Sequence, residues 1–133
     1  MKQDDFSSID IHDLETNRQW QAQYRLLMRW GDAIHTKPEL RAEHNKIRGC
    51  AASTWLALHD GQFYFDSDSR IIKGLAALLL TQINKGEIRV ENLEKWDDLL
   101  QSLGLRKHLS PSRNNGLQAL VRRMLELWNE AHR

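Results

Sequence analysis

Cysteine is almost absent from this chain: Cys50 is the single example in 133 residues. No internal disulfide can form, and no cysteine-based structural zinc site can be assembled. A lone thiol fits a reducing compartment. Proline is equally sparse, and Pro38 and Pro111 stand as punctuation between segments. Long apolar runs are missing. The longest, GLAALLL at 74–80, is far too short to cross a bilayer, so no membrane association is expected. The opening MKQDDFSSIDIHDLE is acidic and has no apolar core segment, so no secretory signal is expected and the location expected is cytoplasmic. Neither sign of charge prevails: 19 Lys and Arg face 18 Asp and Glu, for a net +1. That balance argues against a general nucleic-acid binder.

Several catalytic signatures are missing too. The histidines at 12, 35, 44, 59, 108 and 132 include no i, i+4 pair on one helix and no HExxH. The stretch DSDSRI opens like a calcium loop but has Arg70 and Ile71 where a ligand and the turn glycine belong. No Walker loop, GxGxxG or GxSxG elbow occurs. Neither a metal nor a cofactor is therefore expected.

What is present suits one α+β domain spanning 1–133, with a small three-stranded antiparallel sheet covered by helices. Trp20, Tyr24, Leu27 and Ile34 recur at helical spacing, with Thr16 as a candidate cap. STWLALH and QFYFD flank Asp60-Gly61, a strong hairpin signal because both turn residues tolerate φ > 0. A third strand is expected through Lys46–Gly49. The next helix, capped by Ser67 or Asp68 and ended by Gly86, has little polar face and should be buried. Leu93, Trp96, Leu100 and Leu103 mark a further helix stopped by Gly104. The last opens at Ser110-Pro111, with Leu117, Leu120, Val121, Met124 and Trp128 as its apolar stripe. Residues 106–133 hold six bases against Glu126 and Glu130, so this helix presents either a solvated basic face or a binding surface.

Cys50 is the residue with chemical potential. An unpaired cysteine is commonly an inert core residue. Its setting adds a second possibility: Gly49 permits tight backbone geometry before it, and Lys46 and Arg48 would favour a thiolate. A hydrolase would also need a base. His59 lies nine residues on, at the far end of a strand, roughly 25–30 Å away at about 3.3 Å per residue. His44 and His108 remain open on distance. The residues by themselves are thus compatible with a sulfur nucleophile, as in a thioesterase-like cysteine hydrolase, or with a basic-helix binding module with an inert Cys50.

Four stretches in order narrow the choice. Trp20 with Tyr24, RGC followed by Trp55, DSDSRIIKGL at 66–75 and LGL…LSPSRNNGL at 103–117 closely resemble the SufE family of sulfur-acceptor proteins, which includes the CsdE branch. Ala51-Ala52-Ser53, Gln23 and Asn114 depart from the usual family residues and leave the branch open. The resemblance implies a fold like that of the IscU scaffolds. It also implies a non-enzymatic role: Cys50 would accept persulfide sulfur from a pyridoxal-phosphate-dependent cysteine desulfurase, stimulate that enzyme and pass sulfur to an iron–sulfur scaffold or another acceptor. A single cysteine suits a carrier better than a cluster scaffold. On the same basis Arg113, Asp68, Gly49, Trp55 and Gly116 are the supporting or partner-binding candidates. Arg113, beside a positive helix end, would steady a thiolate or meet the partner. Asp68 is first a helix cap, Trp55 a pocket wall or ordinary core, and Gly116 a point of close backbone approach.

Overall fold

The computed structural model describes residues 1–133 and is α+β. Helices α1 (His12–Thr16) and α2 (Trp20–Gly31) precede a hairpin of β1 (Thr54–His59) and β2 (Gln62–Ser67). Then come α3 (Arg70–Asn84), α4 (Glu94–Ser102) and α5 (Pro111–Ala131).

The buried helix is α3. Ile71, Leu75, Leu78 and Leu79 are sealed on all sides, with α2 crossing one flank. That crossing depends on Gly74, because a β-carbon there would overlap the Leu27 carbonyl. The 28-residue main core spreads from α3 to Leu27 and Trp30 of α2, Leu56 and Phe65 of the hairpin, and Leu117, Leu120 and Met124 of α5. The hairpin turn has left-handed Asp60 (φ 51°) and Gly61 (φ 75°), which matches the strands' right-handed twist. Its register pairs Leu56 with Phe65 and Trp55 with Asp66. Alternation sends Leu56 and Phe65 to the main core, while Trp55 and Ala57 pack with Leu40 on the other face.

The sheet has two strands, not three. Lys46 makes one isolated bridge to Trp55, and the Ile47 N–H donates to the Thr54 carbonyl at 2.8 Å. Pairing stops there because Gly49, at φ 93°, turns the chain out of extended geometry. Two caps also differ from expectation. Gln19 precedes α2, and the Thr16 hydroxyl instead donates back to the His12 carbonyl at 3.1 Å, within α1. Ser69 caps α3, accepting from the Ile72 N–H at 3.3 Å, so neither Ser67 nor Asp68 does. Ile34 lies beyond the end of α2, yet is buried.

The segment before the hairpin is fastened by charge. The Lys37 ammonium is buried, donating to Asp4 Oδ2 at 2.6 Å and to the carbonyls of His35 and Phe65. Asp66, 0% exposed, accepts from the Lys37 N–H at 2.8 Å and from Arg41 Nε at 2.9 Å. Nothing in the sequence spacing marks this network, because its members are far apart along the chain.

Candidate functional site

Cys50 sits in the irregular segment between the Glu43–Asn45 turn and β1, just after the left-handed Gly49. It is half-buried between exposed neighbours Gly49 and Ala51. Its thiol donates to the Gly116 carbonyl over 3.6 Å, a long contact that holds it weakly against α5. The segment's downstream end is anchored more firmly. The Asp68 N–H donates to the Ser53 carbonyl at 2.9 Å, and the Thr54 and Ser67 hydroxyls hydrogen-bond at 3.0 Å. Cys50 thus lies on a short span of chain tied down at β1.

A cavity of about 350 Å³ opens beside the sulfur. Ala51, Ala52, Ile72 and Gly116 supply its apolar wall, Thr54, Ser69, Ser110 and Ser112 its hydroxyls, and Arg113 its charge. The first turn of α5 forms one side. Ser110 caps that helix by accepting from the Arg113 N–H at 3.2 Å, and Pro111 has no N–H to leave unpaired. A 21-residue helix therefore presents its positive end to the space beside the thiol.

Burial pushes the Cys50 thiol above the ordinary thiol range; a hydrogen bond with Thr54 and the positive charge of Arg122 oppose it without prevailing. The resting sulfur is thus held as the thiol. Lys46 and Arg48, expected to favour a thiolate, line an adjoining cleft instead; the cation whose charge reaches the sulfur is Arg122, one turn and a half along α5 from Gly116. Arg122 carried no signal in the sequence because it lies outside the stretches that resemble the family and is one of several bases on the last helix.

The other candidates divide. Arg113, Gly49 and Gly116 gather around Cys50. What faces Gly116 is not another backbone: a β-carbon there would lie 3.8 Å from both Cys50 Sγ and Ile72 Cδ1, ordinary contact. Of the two readings of Trp55, the structure gives ordinary core: it is 8% exposed on the opposite face of the hairpin with the Arg41 guanidinium 4.3 Å above its ring, and smaller residues wall the cavity beside Cys50. The Asp68 carboxylate takes Arg41 at 2.8 Å, and only its backbone touches the cysteine segment. His44 borders the cleft next to Cys50, His108 stacks on Trp20 at 4.9 Å, and His59 packs on Tyr64 at 6.0 Å; none hydrogen-bonds the sulfur. No three His, Cys, Asp or Glu side chains gather in a group able to hold a metal ion. No helix is long and apolar enough to cross a membrane.

A family model, described as the Fe–S metabolism associated domain SufE, matches residues 10–128, nearly the whole of this arrangement. The chain belongs to the SufE family. An uncharacterised SufE-like protein of Rhizobium meliloti is 33% identical over 132 residues, covering 91% of this chain and 87% of the relative. A second, from Rhizobium etli, is 32% identical, covering 92% and 84%. The sulfur acceptor protein CsdE of Escherichia coli is 37% identical over 108 residues, covering 77% of this chain and 74% of its own. In this SufE-family chain, the matched span contains Cys50, both walls of its cavity and Arg122.

Proposed function

We propose that this chain, as a single SufE-like domain, is a sulfur carrier: Cys50 takes sulfane sulfur from the persulfide of a pyridoxal-phosphate-dependent cysteine desulfurase and stimulates that enzyme. It then hands the sulfur on toward iron–sulfur cluster assembly, in the cytoplasm, where a lone thiol stays reduced. In the transfer, Cys50 loses its proton and its thiolate attacks the outer sulfur of the donor persulfide. A new S–S bond forms, the donor's S–S bond breaks, and the donor cysteine leaves as thiolate. No net oxidation occurs.

The observation that carries this reading is the space beside the sulfur, with the α5 N-terminus, Arg113 and four hydroxyls around it. A persulfide is an anion at neutral pH and needs an outer-sulfur site that tolerates charge yet restricts stray thiols. The weak bond to Gly116 fits a cysteine that must leave this site to meet a partner.

The thiol's raised pKa does not oppose the reading. At pH 7.5 a thiol of pKa ~8.5 is about 10% thiolate, and a rise of about one unit leaves roughly a tenth of that. The same rise strengthens the thiolate's nucleophilicity roughly threefold, so the net loss is only about threefold. Aligning two sulfurs in a docked complex is worth several orders of magnitude. Docking controls the rate, and no built-in base is required. A hydrolase would require one, and Cys50 has no histidine bonded to it.

Intact mass after incubation with a desulfurase and cysteine tests the proposal. The expected result is a gain of about 32 Da, removed by reductant and located on Cys50, with none in a folded Cys50→Ser variant. A Cys50→Ser chain that still gains the sulfur refutes it.

A further inference from the structure

Thr54, the first residue of β1, stands in the wall of the cavity beside Cys50. It is the one buried hydroxyl residue there: Ser110 and Ser112 are exposed and Ser69 is half-buried. The oxygens of Ser69 and Ser110 are also engaged as helix caps. The Thr54 proton has a fixed direction at rest. Thr54 Oγ1 lies 3.1 Å from the Ala52 carbonyl, which can only accept, so the single hydroxyl proton points there. Ser67 Oγ, 3.0 Å away, must then donate to Thr54, and it accepts in turn from the Ser69 N–H at 3.1 Å. A row of donors thus runs from the start of α3 through two hydroxyls to the cysteine's cavity.

The thiol has use for that row once it ionises. At rest it donates to the Gly116 carbonyl over 3.6 Å. When its proton has passed to solvent, that carbonyl offers the anion nothing, and a half-buried thiolate without a donor is costly. The Thr54 hydroxyl is within hydrogen-bonding reach of the sulfur. Rotation about its C–O bond carries the proton from Ala52 to Sγ while the bond from Ser67 is kept. Ala52 is half-buried, so water can serve its carbonyl instead. The new bond is charge-assisted and is polarised by the donors behind it.

We propose that Thr54 is the residue that holds the Cys50 thiolate: on ionisation its hydroxyl turns from the Ala52 carbonyl to Sγ, backed by Ser67 and the Ser69 N–H. Its role in transfer rests on the sulfur-carrier reading. There the same donor serves Cys50 as attacking thiolate when sulfur is accepted and as leaving thiolate when sulfur is passed on. The charges facing the sulfur are Arg113 and Arg122 from α5, with Glu43, His44, Lys46 and Arg48 in the adjoining cleft; β1 and α3 bring only neutral side chains. All of these are kept in a Thr54 variant.

The test is the pH profile of Cys50 alkylation by iodoacetamide in the full chain, with no desulfurase present. Thr54→Val, which keeps the shape and removes the hydroxyl, should raise the midpoint by about one pH unit. Thr54→Ala should raise it similarly. Thr54→Ser restores the donor and should bring the midpoint to within about 0.3 unit of the parent. A hydroxyl that only ties β1 to β2 would change stability in urea without moving the midpoint. An unraised midpoint in either hydroxyl-free variant overturns the proposal, as does a Thr54→Ser midpoint as high as that of Thr54→Val. Because the thiol is titrated alone, such a failure is distinct from failure of the sulfur-carrier reading, which the mass gain on Cys50 decides.

Discussion

Replacing Asp66 with asparagine tests what holds the cysteine segment's anchor in place. The carboxylate is fully buried and receives the Lys37 N–H at 2.8 Å, the Ser67 N–H at 2.9 Å and Arg41 Nε at 2.9 Å, with Lys73 Nζ at 3.5 Å. Four donors converge on two oxygens. An asparagine amide keeps the shape but offers one oxygen, turns an NH₂ toward the other donors and leaves Lys73 without a counter-charge, while Arg41 keeps only the exposed Asp68. Breaking one side of a buried pair costs roughly 3–5 kcal/mol. The Arg41 side chain is 28% exposed, so water recovers part of that loss. The expected cost is about 3 kcal/mol. Burial alone would raise this carboxyl's pKa, but the Arg41 hydrogen bond, the Lys37 N–H and the charges of Arg41 and Lys73 outweigh it and hold it below the usual carboxylate range. A carboxyl with a lower folded than unfolded pKa stabilises fully above the unfolded value, near ~4, and loses that contribution as pH falls through the folded one. Urea unfolding from about pH 7 down to about pH 2.5 should therefore show the gap between parent and Asp66→Asn level to about pH 5, then closing below about pH 4. A gap under about 1 kcal/mol at neutral pH, or one that fails to narrow in acid, would refute the assignment of Asp66 as the anchor.

Other outcomes follow from the site. Gly49→Ala should cost about 1–2 kcal/mol in chemical denaturation, from the backbone alone, since a β-carbon would meet only the Ala119 side chain at 3.5 Å. The same variant should accept sulfur more slowly because its turn delivers Cys50. Arg113→Ala should leave the melting temperature within a few degrees yet slow sulfur acceptance by about tenfold, read as the rate of mass gain from a charged desulfurase. The pH profile of Cys50 alkylation by iodoacetamide should have its midpoint above that of a free thiol, and Arg122→Gln should move it higher still, because the opposing charge is gone.

Local patterning made much of the fold legible. Apolar spacing marked α3 and α5, the Ser110-Pro111 start was visible, and Asp60-Gly61 announced the hairpin. These features depend on a few neighbouring residues and on backbone preferences that act within one turn. Lys46–Gly49 misled because its residues suit a strand while Gly49 adopts a conformation no strand contains. For Trp55 the sequence left pocket wall and ordinary core both open, because it lies close to Cys50 along the chain; strand alternation turns it to the opposite face, among core residues.

The amino-acid sequence by itself determined the α+β class, the single thiol that limits what chemistry is possible, and the ordered motifs that mark the family. Tertiary structure alone decided which groups surround that thiol. Arg113, Gly116 and Arg122 come to Cys50 from α5, and Asp66 gathers Lys37 and Arg41 from the segment before the hairpin and Lys73 from α3. Burial and charge act through space, so their balance is set only once the helices have packed.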